Sequence, residues 1–266
     1  MGDDSNRAIA DQEGWQHFNY LDFRSDLHDE FERVFCPVQG DEHRRNLQFR
    51  GGKDWLRFVF ERWFHIHGFA QSQNIERFWH FDSDTMILKN LERYEELLER
   101  YDYTTQCNAT CLNGYIKRAL LAEYNAHTIS LFKNKDFLER QQIEFDSINP
   151  TYAFTEMRAF SEFARETQAK GVHLMSFSSE EVFDDALRQS HGFDVCFYDG
   201  DKFVKDIRVV DGNISGVCNQ KNISFVTLNM SWLPAIAYKW VFRALKGSQL
   251  PLATPLSSSI RRKLGF

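Results

Sequence analysis

The sequence predicts an α/β protein with a mixed central sheet flanked by helices and an antiparallel part late in the chain. Three observations predict it. Over the first two-thirds, apolar and aromatic runs of strand length alternate with stretches whose apolar residues recur at helical spacing. The last third carries strand-like runs close together, at 194–198, 203–210 and 223–228, with Asp211-Gly212-Asn213 as a turn between two of them. The 25 phenylalanines and 42% hydrophobic content supply enough apolar surface for a large packed core.

Taken in order, residues 1–14 are polar and read as a flexible terminus, 15–250 as one domain and 251–266 as a basic tail. Residues 17–23 read as a short strand. Residues 25–35 read as a helix, because Ser25 can cap it and Leu27, Phe31 and Val34 recur at helical spacing. The polar stretch 37–50 reads as a loop. Residues 54–69 form a strong helix pattern, with Leu56, Phe60, Trp63, Phe64 and His67 on one broad face. The aromatic run Phe78-Trp79-His80-Phe81 reads as a strand, and 90–101 as a helix. Residues 104–113 are irregular or extended. Leu112-Asn113-Gly114-Tyr115 opens a helix that runs to about Phe132, and 137–145 is helical. Asn149-Pro150 marks a break. Residues 155–170 form a helix, 172–177 are extended and 180–189 form a short amphipathic helix.

Composition excludes several classes. A net charge of -6 and a pI of 5.9 argue against broad nucleic-acid binding, which needs a basic surface. No transmembrane segment is expected: the most apolar late stretch, 225–242, is interrupted by Asn229, Pro234 and Lys239 and reads as a buried strand plus helix. No signal peptide is visible, so the compartment is open: cytoplasmic for a complete chain, a secretory lumen if a targeting part precedes it. The five cysteines form no CxxC pair and read as reduced thiols. GxGxxG, P-loop, HExxH and GxSxG patterns are all missing. His65 and His67, two apart on a helix, do not share a face and make a poor metal pair.

The stretch with chemical promise is Phe81-Asp82-Ser83-Asp84. In a strand, residues two apart share a face. Asp82 and Asp84 are therefore expected on one side of a strand's carboxyl end, where two hard oxygen ligands suit a hydrated divalent cation carrying phosphate. The plainer alternative is a strand end with one capping and one solvated carboxylate.

Several segments, in order, resemble the GT-A fold glycosyltransferases that use nucleotide-sugar donors. They are Glu61-Arg62-Trp63-Phe64, Phe81-Asp82-Ser83-Asp84 with Thr85-Met86-Ile87, Cys111-Leu112-Asn113-Gly114-Tyr115, Thr155-Glu156-Met157 and Phe225-Val226-Thr227-Leu228. The resemblance covers roughly residues 55–230. It implies transfer of a sugar from a nucleotide-sugar donor to a glycan, protein or small-molecule acceptor hydroxyl. It also implies Mn²⁺ or Mg²⁺ held by Asp84 and by Asp82. Arg62, Asp82, Ser83, Asn113 and Gly114 are implied as donor-binding residues. Glu156 is implied as the catalytic base or as an acceptor-binding group. The plain structural roles for the same residues are an ion pair for Arg62, a helix-entry turn for Asn113 and Gly114, and helix-start stabilisation for Glu156. Two departures accompany the resemblance. No counterpart of the family's first strand and helix precedes Phe18. Asn229 follows the last core strand, where related enzymes often use a His to complete the metal site. Two alternatives stand beside this reading. One is a haloacid-dehalogenase-like phosphatase, with Asp82 as nucleophile, Asp84 as acid/base and Asp184-Asp185 as a later acidic motif. The other is a degenerate transferase fold acting as a binding module.

Overall fold

A computed structural model describes residues 1–45, 54–176, 178–199, 202–210, 212–231 and 233. Along the chain the helices are α1 (Arg7–Glu13), α2 (Asp26–Val34), α3 (Asp41–Arg45), α4 (Trp55–Ser72), α5 (Glu95–Leu98), α6 (Arg118–Lys133), α7 (Lys135–Ser147) and α8 (Glu156–Glu166). The strands are β1 (Arg77–His80), β2 (Thr85–Ile87), β3 (Tyr103–Gln106), β4 (Cys111–Lys117), β5 (Gly171–His173), β6 (Glu181–Phe183), β7 (Val195–Asp199), β8 (Lys202–Lys205), β9 (Ile207–Val210), β10 (Asn213–Cys218) and β11 (Lys221–Asn229). The protein is mixed α/β, with a mixed sheet and antiparallel strands late in the chain, as its sequence predicts. The chain divides into two compact units. One comprises Met1–Trp79 and Thr110–Lys170, the other His80–Ala109 and the chain from Gly171 onward. Residues 15–250, read from sequence as one domain, are shared between them; the tail 251–266 lies outside the described residues.

The first unit is mainly helical. On α4, Leu56, Val59, Phe60, Trp63, Phe64, His67 and Ala70 are buried, a spacing of three and four that makes one wide apolar stripe. Ser25 caps α2 by accepting the His28 N–H, and Phe31 on its inner face stacks on Phe64 at 4.8 Å between ring centroids. Phe132 of α6 meets Phe31 and Phe60 edge-on, and Phe154 joins the cluster at 5.7 Å from Phe60. Each such ring pair adds about 0.5–1.5 kcal/mol beyond its buried area. The buried Asn125 amide donates to the Trp63 carbonyl and ties α6 to α4. A Cβ on Gly68 would lie 2.3 Å from the Phe23 carbonyl oxygen, so only glycine lets the turn Tyr20–Phe23 rest on α4. The Trp79 indole of β1 packs edge-on against Tyr115 of β4.

In the second unit β11 is the spine. It pairs antiparallel with β10 and with β2, in register Leu228↔Met86, and parallel with β6, in register Phe225↔Val182. Strands β9 and β10 form a hairpin, β7 and β8 another, and β3 pairs parallel with β5. Residues 225–229 are buried without a break, as expected for a strand covered on both faces. Phe225, Leu228, Val182, Leu187, Phe193 and Ile214 form the core beside it.

Several expectations need correction. The strand expected at 17–23 is a 3-10 turn, Tyr20–Phe23, because the Asn19 side chain accepts the Leu21 N–H and offers the backbone a local alternative to a ladder. Residues 1–14 carry a 3-10 turn with a capping box and then α1, stopped by Gly14 at φ 69°. The loop 37–50 contains α3, and the helix expected over 90–101 is a 3-10 turn, Leu91–Tyr94, followed by α5. The helix expected to open at Leu112 begins at Arg118, since β4 runs through Lys117. The amphipathic helix expected over 180–189 does not form: Val182 and Phe183 belong to β6, whose pairing with β11 overrides the helical spacing. The helix expected beyond β11 falls outside the described residues. All five cysteines are free thiols.

Candidate functional site

Strand β1 ends at His80, before the carboxylate pair. The Thr85 N–H donates to the Asp82 carbonyl at 2.9 Å and closes a tight turn with Ser83 and Asp84 at its centre. The two carboxylates are thus presented by a turn and not by the pleat of a strand, which corrects the shared-face argument: the two-residue period stops where the ladder stops. Asp82 and Asp84 are half-buried and Ser83 is exposed. The turn leads into β2, which sets Thr85 opposite Asn229, and the Met230 N–H donates to the Asp84 carbonyl at 2.7 Å. The Asp-x-Asp turn therefore lies at the carboxyl end of β11.

Oxygen atoms crowd around Asp84. Its Oδ2 accepts from the Ser231 hydroxyl at 2.6 Å, and that hydroxyl is also 2.5 Å from Asn229 Oδ1. The Ser231 N–H donates to the same Asn229 oxygen at 2.9 Å, which fixes the orientation of the amide. A hydroxyl has one proton and serves one of these acceptors at a time. Asp84 Oδ1 is buried and has no hydrogen-bond partner among the described residues. A buried acceptor left in that state costs about 1–3 kcal/mol. Carboxylate, amide and hydroxyl oxygens in excess of protons are a donor set that suits a hard divalent cation. Asn229, the last residue of β11, offers an amide oxygen to this cluster.

A second polar cluster follows β6 in the same unit. Asp184 and Lys205 are both fully buried, with Lys205 Nζ donating to Asp184 Oδ1 at 2.6 Å and to the Ala186 carbonyl at 2.7 Å. Asp184 Oδ2 accepts the Asn229 N–H, and the Asp184 carbonyl accepts from the Gln106 amide. Burial pushes the Asp184 carboxyl above its ordinary value, against the pull of the Lys205 ammonium. Asp185, also fully buried, accepts the Cys107 N–H at 2.5 Å, the Asn108 N–H at 2.7 Å and His173 Nε2 at 3.1 Å. Burial works to raise the Asp185 carboxyl, but His173 and these amides hold it below its ordinary value. Cys107, Asn108 and Ala109 all have left-handed backbones, at φ 53°, 57° and 64°. Successive N–H groups turned inward in this way form an anion-binding nest, and Asp185 fills it. Sequence reasoning set Asp184 and Asp185 on a helix and passed over His173, His191 and Lys205, since a lone His or Lys in a strand-like run carries no signal of its own.

The other sequence-derived candidates belong to the first unit. Arg62 Nη2 donates to Glu156 Oε1 at 3.0 Å, and the guanidinium sits 5.1 Å from the centre of the Trp63 ring. Glu156 is the buried first residue of α8, and its carbonyl accepts the Tyr124 hydroxyl. Asn113 and Gly114 are not a helix-entry turn: both are buried inside β4, where Asn113 Oδ1 accepts the Gly114 N–H and Gly114 takes φ 90°. The structure thus brings Arg62 to Glu156 and Asn113 to Gly114 within this unit. It also gathers His28, Glu32 and Glu61 close enough to hold a metal. Arg57 already binds both carboxylates and Arg24 binds Glu32, so guanidinium groups supply the positive charge and the cluster reads as an ion network.

No protein-family model matches this chain, and no curated protein or solved structure matches it significantly.

Proposed function

We propose that the protein is a glycosyltransferase that moves a sugar from a nucleotide-diphosphate donor to an acceptor hydroxyl with the help of Mn²⁺ or Mg²⁺. The observation that carries this reading is the buried Oδ1 of Asp84, without a hydrogen-bond partner among the described residues, in an oxygen-rich cluster at the carboxyl end of β11. Asp84 and Asp82 would hold the cation, with the Asn229 and Ser231 oxygens beside Asp84. When bound, the cation acts as a Lewis acid that offsets charge on the departing diphosphate. Ser231 keeps the Asp84 carboxylate oriented through Oδ2 and leaves Oδ1 for a positive partner. Exposed Ser83, at the tip of the turn, suits contact with the donor.

For Arg62, Asn113, Gly114 and Glu156 the resemblance implies donor and acceptor contacts. Glu156 accepts from Arg62 through Oε1, which favours a carboxylate that binds and orients over one that takes a proton. The phosphatase alternative draws no support from Asp184 and Asp185, whose oxygens are spent on Lys205, Asn229, His173 and the 107–108 backbone.

A thermal-shift screen of nucleotide sugars, with and without Mn²⁺, on the unaltered chain and on Asp84→Ala tests the proposal. A donor that raises the melting temperature only with Mn²⁺ and only in the unaltered chain supports it. Stabilisation without turnover points to the binding module, and equal shifts in both chains remove Asp84 from the site.

A further inference from the structure

We propose that His173, oriented by Asp185, is the general base that takes the proton of the acceptor hydroxyl; this rests on the transferase reading above. His173 ends β5, opposite Thr105 of β3. Its Nε2 is 3.1 Å from Asp185 Oδ1. An ionised carboxylate only accepts, so Nε2 carries a proton, and in the neutral ring Nδ1 then holds the lone pair. Asp185 cannot turn away, because two backbone N–H groups hold its two oxygens and its side chain is wholly buried. The His173 side chain is 23% exposed, and the side-chain hydrogen bond it makes among the described residues is through Nε2. A fixed carboxylate behind a partly exposed imidazole is the arrangement that activates a hydroxyl.

The cost of the arrangement supports a chemical role. Three successive non-glycine residues, Cys107 to Ala109, adopt left-handed backbones, and the first two aim their N–H groups at Asp185. Each such residue costs about 1–2 kcal/mol, and strain of this kind gathers at functional sites. The dyad is also wired to Asp84 within one unit. Asp184, next in the chain to Asp185, accepts the Asn229 N–H; Asn229 Oδ1 meets the Ser231 hydroxyl, which holds Asp84. Glu156, by contrast, has its Oε1 committed to Arg62.

In the step itself, the acceptor oxygen forms a bond to the anomeric carbon as its proton passes to His173 Nδ1. The anomeric C–O bond to the diphosphate breaks, and its electron pair leaves with the nucleoside diphosphate. Asp185 stabilises the imidazolium, which then releases its proton to solvent. The titratable groups facing His173 are Asp185 and His191, whose Nε2 lies 4.0 Å from Asp185 Oδ2, with Lys205 behind His191.

The test measures nucleoside diphosphate release from UDP-glucose, UDP-galactose, UDP-N-acetylglucosamine and GDP-mannose with Mn²⁺, water serving as acceptor. The full chain is compared with His173→Ala and Asp84→Ala. We expect His173→Ala to lower kcat about 100-fold or more, with donor KM nearly unchanged and with activity partly restored by added imidazole. In the unaltered chain, ¹⁵N spectra of labelled histidine are expected to show His173 protonated on Nε2. An Nδ1-protonated tautomer, a kcat that survives His173→Ala, or a loss that imidazole does not relieve overturns the base assignment alone. Failure of the unaltered chain to release diphosphate from any donor overturns the transferase reading, and the base with it.

Discussion

Lys205 Nζ lies 2.6 Å from Asp184 Oδ1, and both side chains are entirely withdrawn from solvent. The pair joins β8 to the segment after β6 beneath the Asp84 cluster. Removing one member leaves the other as an isolated buried charge. Lys205→Met is expected to lose about 3–5 kcal/mol of stability. Lys205→Met combined with Asp184→Asn removes the stranded charge while keeping an acceptor for the Asn229 N–H, and is expected to be more stable than Lys205→Met alone. Urea unfolding at neutral pH measures both.

The buried His65 makes the protein sensitive to mild acid. Burial, with the nearby His28, lowers its pKa from 6.5 to about 4. Between those values the unfolded chain binds a proton that the folded chain refuses. Stability is therefore full above pH 6.5 and falls as pH drops toward 4, by on the order of 3 kcal/mol for this one group. Melting temperatures across that window are expected to fall for the native chain and to fall less for His65→Leu.

Gly114 sits inside a buried strand at φ 90°, where a side chain strains the backbone. Gly114→Ala is expected to cost about 1–2 kcal/mol or more, measured as a lower unfolding midpoint with an unchanged denaturant slope.

Ser231→Ala removes the hydroxyl that orients Asp84. Stability is expected to change by about 1 kcal/mol or less, whereas Mn²⁺ affinity is expected to weaken about 10–100-fold, the usual effect of losing a group that orients a ligand. Mn²⁺ titration followed by electron paramagnetic resonance separates the two effects. Unchanged affinity would detach Ser231 from cation binding.

The parts of the fold that were legible in the sequence are those with local causes. Helix α2 shows its Ser25 cap and its Phe31 face, and α4 shows a stripe repeating every three to four residues; both patterns arise from neighbours along the chain. The turn at Gly212 and the apolar run of β11 were legible for the same reason, whereas β10, the strand that completes the hairpin with β9, was not read from the sequence. The misread segments are those where distant pairing decides. Residues 182–187 carry apolar positions that satisfy helix or strand alike, and only hydrogen bonding to β11 selects the strand. Residues 112–117 look like the start of α6 until Gly114 and its strand neighbours are seen.

By itself the sequence determined the α/β class, the main helices and the fact that two carboxylates follow a strand, because hydrophobic period, caps and turn residues act over a few positions. Tertiary structure alone decided that those carboxylates ride on a turn, that Asp84 meets Ser231 across 147 positions of chain, and that Asp185 anchors both His173 and a left-handed turn 77 positions away. Such contacts depend on strand register and on how buried charges find partners, and no short window of sequence encodes either.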